Sequence, residues 1–193
     1  MKKYLFFLCF FIFNTHYLQA DPDKTINDSD QMVARIEHIF MSLQEYKTRA
    51  RRTIEEYKKN NRYNIEDLRT LKKTLLKRII EKKLLLIEAE NKQIEVSYKE
   101  ILDAKDEIKK SFDDYKEYKN NLKKHGLHNE IDLRKYLESE LKVKKLLYQE
   151  IGDCSTETDK DLEYLDKNYE RYIIELRKKY IILIFNDCAD IAF

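Results

Sequence analysis

Hydrophobic residues are arranged along this chain in three different ways. Tyr4 to Phe13 form an uninterrupted apolar run behind Lys2 and Lys3. From about residue 37 to residue 179, apolar positions recur at helical spacing in a densely charged background. From Tyr180 onward they become contiguous and β-branched. The clearest period takes every seventh residue: Ile80, Ile87, Ile94, Ile101, Ile108, Tyr115 and Leu122. A heptad series kept over so many turns predicts a coiled-coil seam. The companion positions four residues on, Leu84, Asn91, Tyr98, Lys105, Phe112 and Lys119, are only half apolar. The pattern therefore favours a loosely packed helical hairpin over a tight dimeric zipper.

Other signals divide the chain around that seam. Residues 1–20 read as a secretory signal peptide, because the apolar run is far shorter than the ~20 residues a membrane span needs and closes with Leu18-Gln19-Ala20. Residues 21–31 are polar and aperiodic, a flexible lead-in. Met32-Val33-Ala34-Arg35-Ile36 suits a short strand, and Glu37-His38-Ile39-Phe40 begins a helical pattern. A turn over 123–129, with Gly126 as a left-handed C-cap and Asn129 as the next N-cap, predicts the hairpin tip. A returning helix follows to Ile151, breaks over 152–159, and resumes to Lys179. Residues 41–122 as one helix would reach ~120 Å and 130–179 only ~75 Å, so the outgoing helix is expected to break near the asparagines of 59–64. At the end, Tyr180 to Phe185, the turn residues Asn186-Asp187, and Ala189 to Phe193 predict a β-hairpin.

The expected fold is thus mainly α: a long coiled-coil helical hairpin arm, residues 41–179, projecting from a small β-containing body made of 32–40 and 180–193. Val33, Ile36, Ile39, Phe40, Ile182, Ile184, Ile191 and Phe193 are its expected packing residues. Composition agrees, since two glycines and one proline leave little punctuation and 38% of residues are charged. Removing the leader removes Lys2 and Lys3 and brings the formal charge of +2 to zero, so global charge does not point to nucleic acid. Charge is nonetheless segregated. Residues 47–83 hold fourteen Lys or Arg against five acids, and residues 88–118 hold ten acids against six lysines.

That basic stretch supplies Lys72, Lys73, Lys77, Arg78, Lys82 and Lys83 as candidate contacts to acidic clients or an anionic membrane surface; a solvated helix face explains them as well. Lys119, Lys123, Lys124 and His125 at the expected tip carry the same pair of readings. The tyrosines, among them Tyr98, Tyr115 and Tyr148, are either client contacts or seam residues. Cys154 and Cys188 are either a disulfide or two free thiols. No nucleophile elbow, phosphate loop or zinc spacing occurs, so neither catalysis nor a cofactor or metal is expected.

Val33 to Phe40, and Tyr180 to Phe185 turning through Asn186-Asp187 into Ile191-Ala192-Phe193, resemble the opening and closing segments of the Skp, or OmpH, family. The signal peptide and charged helical middle match in kind. The resemblance implies a periplasmic homotrimer whose helical hairpins form a cage around unfolded outer-membrane proteins and hold them without ATP. The competing expectation is a structural coiled-coil scaffold of the envelope or periplasmic flagellum.

Overall fold

The computed structural model describes residues 31–60, 64–152 and 159–185. The proposed leader, Cys154, Cys188, Ile191 and Phe193, and with them the second strand of the expected closing hairpin, lie outside the described residues. Among those described, the chain is mainly helical, with a small three-stranded antiparallel sheet. The elements in order are β1 (Met32–Ile36), β2 (Ile39–Ser42), α1 (Leu43–Asn60), α2 (Ile65–Asn91), α3 (Tyr98–Lys110), α4 (Tyr115–Lys124), α5 (Glu130–Ile151), α6 (Asp159–Lys179) and β3 (Ile182–Ile184). The described residues make two compact units, one within 31–84 and 174–185 and one within 85–173.

In the first unit β1 is the central strand, with order β2-β1-β3. Ile36 is opposite both Ile39 and Ile182, and Ala34 is opposite Met41 and Ile184. Directly opposed residues share a face, so these six side chains define one side of the sheet. Ala34, Ile36 and Met41 there are fully buried. Residues 39–42 correct the sequence expectation, forming a strand and not the start of a helix. Glu37 takes a left-handed conformation at φ 52°, and with His38 makes a two-residue turn that folds β2 back along β1. The helix starts only after Ser42, whose hydroxyl accepts from the Glu45 amide at 3.1 Å.

Glu37 also anchors β3. Its amide donates to the Ile181 carbonyl at 2.9 Å and its carboxylate accepts from the Ile181 amide at 2.8 Å. The Phe185 amide continues the pairing to the Val33 carbonyl. Of the expected packing residues, Val33 and Ile36 are buried, Ile39 and Ile182 are half-buried, and Phe40 and Ile184 are exposed. Phe40 fails as a core residue because it sits opposite Arg35, on the sheet's other side. Ile184 is on the inner side but at the outer strand, where less covers it.

The second unit corrects the seam. The heptad residues do not share one helix: Ile80 and Ile87 are on α2, Ile94 is in a turn, Ile101 and Ile108 are on α3, and Tyr115 and Leu122 are on α4. Two helix stops cut the series. After α2, Gln93 adopts φ 53°; its amide donates to the Glu90 carbonyl and the Ile94 amide to the Ala89 carbonyl, both at 2.9 Å. This is a Schellman stop with buried Ile94 as its hydrophobic contact. Ser97 then starts α3 through a capping box with Glu100. After α3, Asp114 caps α4 by accepting from the Glu117 amide at 2.7 Å. A second Schellman stop at Gly126, φ 72°, pairs the Leu127 amide with the Leu122 carbonyl and the Gly126 amide with that of Lys123. Asn129 caps α5 through the Asp132 amide. The sequence placed this last turn correctly: it joins the ten-residue α4 to the 22-residue α5.

The apolar faces of these helices converge. Ile101, Tyr118, Leu127, Leu133, Tyr136 and Leu137 form a buried cluster, with Val96, Ala104, Ile108, Phe112, Leu122 and Leu141 packed against it. Tyr115 alone of the heptad series is exposed. The outgoing helix also breaks where expected: α1 ends at Asn60, and Asn64 caps α2 through the Glu66 amide at 2.7 Å.

The two stops differ in one respect that stability measurements resolve. A left-handed residue with a Cβ costs about 1–2 kcal/mol, against the roughly 0.5–1 kcal/mol entropic cost of glycine. Gln93→Gly is therefore expected to stabilise the fold, and Gly126→Ala to destabilise it, by a similar net amount of about 0.5–1 kcal/mol. Thermal melts followed by circular dichroism would show the midpoints moving in opposite directions.

Candidate functional site

The residues singled out from sequence are distributed over both units, and the structure separates those committed to internal contacts from those facing solvent. In the sheet unit Lys72 is only 8% exposed, and its carbonyl accepts from the Tyr46 hydroxyl at 3.0 Å. Its assignment as a surface contact is corrected: Lys72 lies on the inward face of α2 beside Leu75 and Leu76, which are also buried. Lys83 is likewise occupied, pairing with Glu45 at 2.9 Å. Glu45 in turn holds Arg49 at 2.8 Å. Glu81, buried, receives Arg177 at 3.3 Å and has Lys77 at 3.9 Å. Lys73, Lys77 and Arg78 face solvent, and Lys82 is half-buried. The basic stretch is thus partly an internal brace between α1, α2 and α6 and only partly a surface.

In the helical unit Lys119, Lys123 and Lys124 are exposed and His125 is half-buried at the cap of α4. Lys119 lies over the Tyr115 ring at 4.9 Å and Lys109 at 5.6 Å from the same ring. Tyr115 touches Tyr118, which touches Phe112, with ring centroids 5.9 Å apart in each pair. Arg134 sits 5.5 Å from the Tyr98 ring. Tyr98, Tyr115, Tyr148 and Tyr164 are all exposed. They are large amphipathic rings on helices, and Tyr98 and Tyr115 each have a cation beside them. Among the described residues no group of His, Cys, Asp and Glu is arranged to hold a metal ion, and no helix is long and apolar enough to cross a membrane.

A set of lysine–glutamate links that sequence reasoning missed joins these helices beside their buried cluster. Lys145 on α5 donates to the Glu95 carbonyl at 2.7 Å and to Glu100 at 2.7 and 2.9 Å. Glu100 also accepts from the Ser97 amide and hydroxyl, each at 2.8 Å. Lys92, just past the end of α2, pairs with Glu150 at 2.5 Å, and Lys105 on α3 pairs with Glu130 at the start of α5. The Glu130 partner, above all by hydrogen bonding, raises the Lys105 pKa. The local half of this network was visible as Ser97-Ser/Thr-like spacing to Glu100; the long-range half was not, since nothing in a sequence pairs residue 145 with residue 95.

Comparison with known proteins supplies a frame for these features. A family model described as the SurA-like N-terminal domain matches residues 2–147. The chain belongs to that family. It is a family of periplasmic, chaperone-like helical domains, and the matched range takes in β1, β2, α1 to α4 and most of α5. No curated protein matches the chain. The family differs from the one that the terminal segments resemble: Val33 to Phe40 lie inside the matched range, whereas Tyr180 to Phe185 lie beyond it.

Glu100 provides a pH test of the lysine–glutamate links. Lys145, then the Ser97 amide and hydroxyl, lower its pKa from 4.5 to about 2. Because the folded pKa is depressed, the stabilisation is complete above the unfolded value near 4.5 and fades as pH falls toward about 2. Urea midpoints of wild type and Glu100→Gln are expected to differ by a constant amount from neutrality to about pH 4.5 and to converge below it. A gap independent of pH would remove the carboxylate from the account.

Proposed function

We propose that this protein is an ATP-independent holdase of the periplasm that keeps unfolded outer-membrane proteins soluble. The observation that carries the reading is membership of the SurA-like N-terminal domain family across residues 2–147. The chemistry of the helical unit supports it. An unfolded β-barrel strand alternates apolar and polar residues and has no water-excluding partner. Exposed tyrosines give such a segment broad, low-entropy contact area, and the lysines and Arg134 beside them supply polar contacts to its alternate residues. Dispersed contacts of this kind hold a client without ordering it.

This reading needs no cage. Separate helices, broken at Gln93 and between Lys110 and Tyr115, stand where a continuous seam was expected, and no observation favours the scaffold. A trimer in sedimentation would restore the cage that the Skp likeness implies, while a monomer leaves holding to the surfaces described above.

The direct test dilutes a denatured outer-membrane protein into buffer with the chain and follows light scattering. Suppression of scattering near stoichiometric ratios is expected, without nucleotide. Tyr98→Ser combined with Tyr115→Ser is expected to weaken suppression several-fold with little change in melting temperature, because both rings are exposed. Undiminished aggregation in a large molar excess of wild-type protein would dispose of the proposal.

A further inference from the structure

The outward side of the small sheet has an unusual composition. The register places Phe40, Arg35 and Leu183 in one row across β2, β1 and β3. Ile181 and Phe185, two residues either side of Leu183, fall on the same side by strand alternation. The apolar members are solvent-exposed: Phe40 53%, Ile181 60%, Leu183 39% and Phe185 49%. The cation at their centre is not. Arg35 is half-buried, and its Nε is shielded from solvent without a hydrogen-bond partner. Glu37, two residues along the same strand edge, has its carboxylate engaged by the Ile181 amide at 2.8 Å.

Two physical costs coincide here. An exposed apolar surface on an edge strand, free of the charges that usually protect such edges, invites pairing. A shielded guanidinium nitrogen with no acceptor leaves a desolvation cost unrecovered. Elsewhere in the same unit Arg49, Arg52 and Arg177 each reach a carboxylate. Arg35 forms no ion pair among the described residues, so its charge is the one feature of this face that selects a partner.

We propose that this face is a docking site for client polypeptide, and that it takes an extended apolar or aromatic segment carrying one carboxylate side chain, which pairs with Arg35 while the flanking residues pack on Phe40, Ile181, Leu183 and Phe185. The assignment rests on the holdase reading and adds to it a preference for acidic over neutral segments. Guanidinium and carboxylate match in planar geometry and charge, and the surrounding rings and aliphatic chains exclude water from the pair. The sheet unit as a whole favours the same sign of partner, since residues 47–83 carry nine more bases than acids.

The test uses the full chain and three fluorescent peptides that alternate apolar and polar residues and differ only by Asp, Asn or Lys at the centre. Wild type is expected to bind the Asp peptide ~10-fold more tightly than the Asn peptide, just under the lower end of coupling energies for interfacial charge pairs. Arg35→Gln is expected to bind the Asp and Asn peptides alike, at the weaker level. Arg35→Glu is expected to reverse the preference toward a Lys-centred peptide, a gain that a misfolded variant would not show. Equal affinity of wild type for the Asp and Asn peptides overturns the proposal, as does failure to bind either. Concentration-dependent self-association abolished by Arg35→Gln would also overturn it, by giving the face to a second copy. Suppression of aggregation by the wild type measures holding separately, so charge indifference with intact holding rejects this site and leaves the function standing.

Discussion

The sheet unit depends on β1 being hydrogen-bonded along both edges. Five residues near the start of the described chain hold β2 on one side and β3 on the other, so residues separated by almost the whole sequence become neighbours. The entropic cost of that closure grows slowly, by about 0.6 kcal/mol for each doubling of the loop, which is why a long helical excursion between strands is tolerable. What closure requires is a local reward at the junction. Ala34, Ile36 and Met41 supply it by leaving solvent entirely, at roughly 25 cal/mol per Å² of apolar surface, and Glu37 adds two hydrogen bonds from a single residue. Its strained backbone places the amide and carboxylate together against Ile181, so the turn that makes the first hairpin also fixes the arrival of the last strand.

The pairing of the chain's ends was legible because it rests on period and residue type. Val33 to Ile36 and Ile182 to Ile184 are β-branched runs in a chain otherwise rich in helix formers, and they had no other strands to meet. Gly126 was legible for the same reason, being one of two glycines. The stop at Gln93 and the starts at Ser97 and Asp114 were not read, because seven apolar positions at constant spacing looked like one helix. Constant spacing cannot distinguish a continuous seam from successive short helices that each turn one face to a shared cluster. Ile87, Ile94 and Ile101 are buried in either arrangement, and only the capping residues between them decide. Serine followed three residues later by glutamate at 97–100 was the available signal, and it is a stronger statement about a helix start than a heptad is about helix continuity.

Charge was the least legible property. Counting lysines over 47–83 gives a basic surface, but Lys72 and Lys83 are drawn inward by long aliphatic stems that cover apolar side chains while their polar ends find partners. The converse error concerned Phe40. Its hydrophobicity suggested the core, yet one residue of register places it beside Arg35 on the open side, since a strand exchanges faces at every step. Both mistakes have one origin: composition assigns a residue to inside or outside, whereas the backbone's period assigns it to a face, and the second rule prevails.

The same distinction bears on how a chaperone-type domain handles unfolded chains. A domain acting as the proposed holdase would have to expose apolar surface and still avoid its own aggregation, so exposure would be rationed in small areas. In the helical unit the exposed apolar surface comes as single rings. Tyr98 and Tyr115 each carry a hydroxyl and a neighbouring cation, which on that proposal would suit contact with an unfolded segment better than contact with one another. Lys145, Lys92 and Lys105 add links from α5 to the segments before and within α3, beside the buried apolar cluster on which those helices pack. In the sheet unit the proposed docking site would ration exposure by charge. Arg35, which has no ion pair among the described residues and lies amid four exposed apolar side chains, would penalise the face for meeting another apolar surface and favour one that brings a carboxylate.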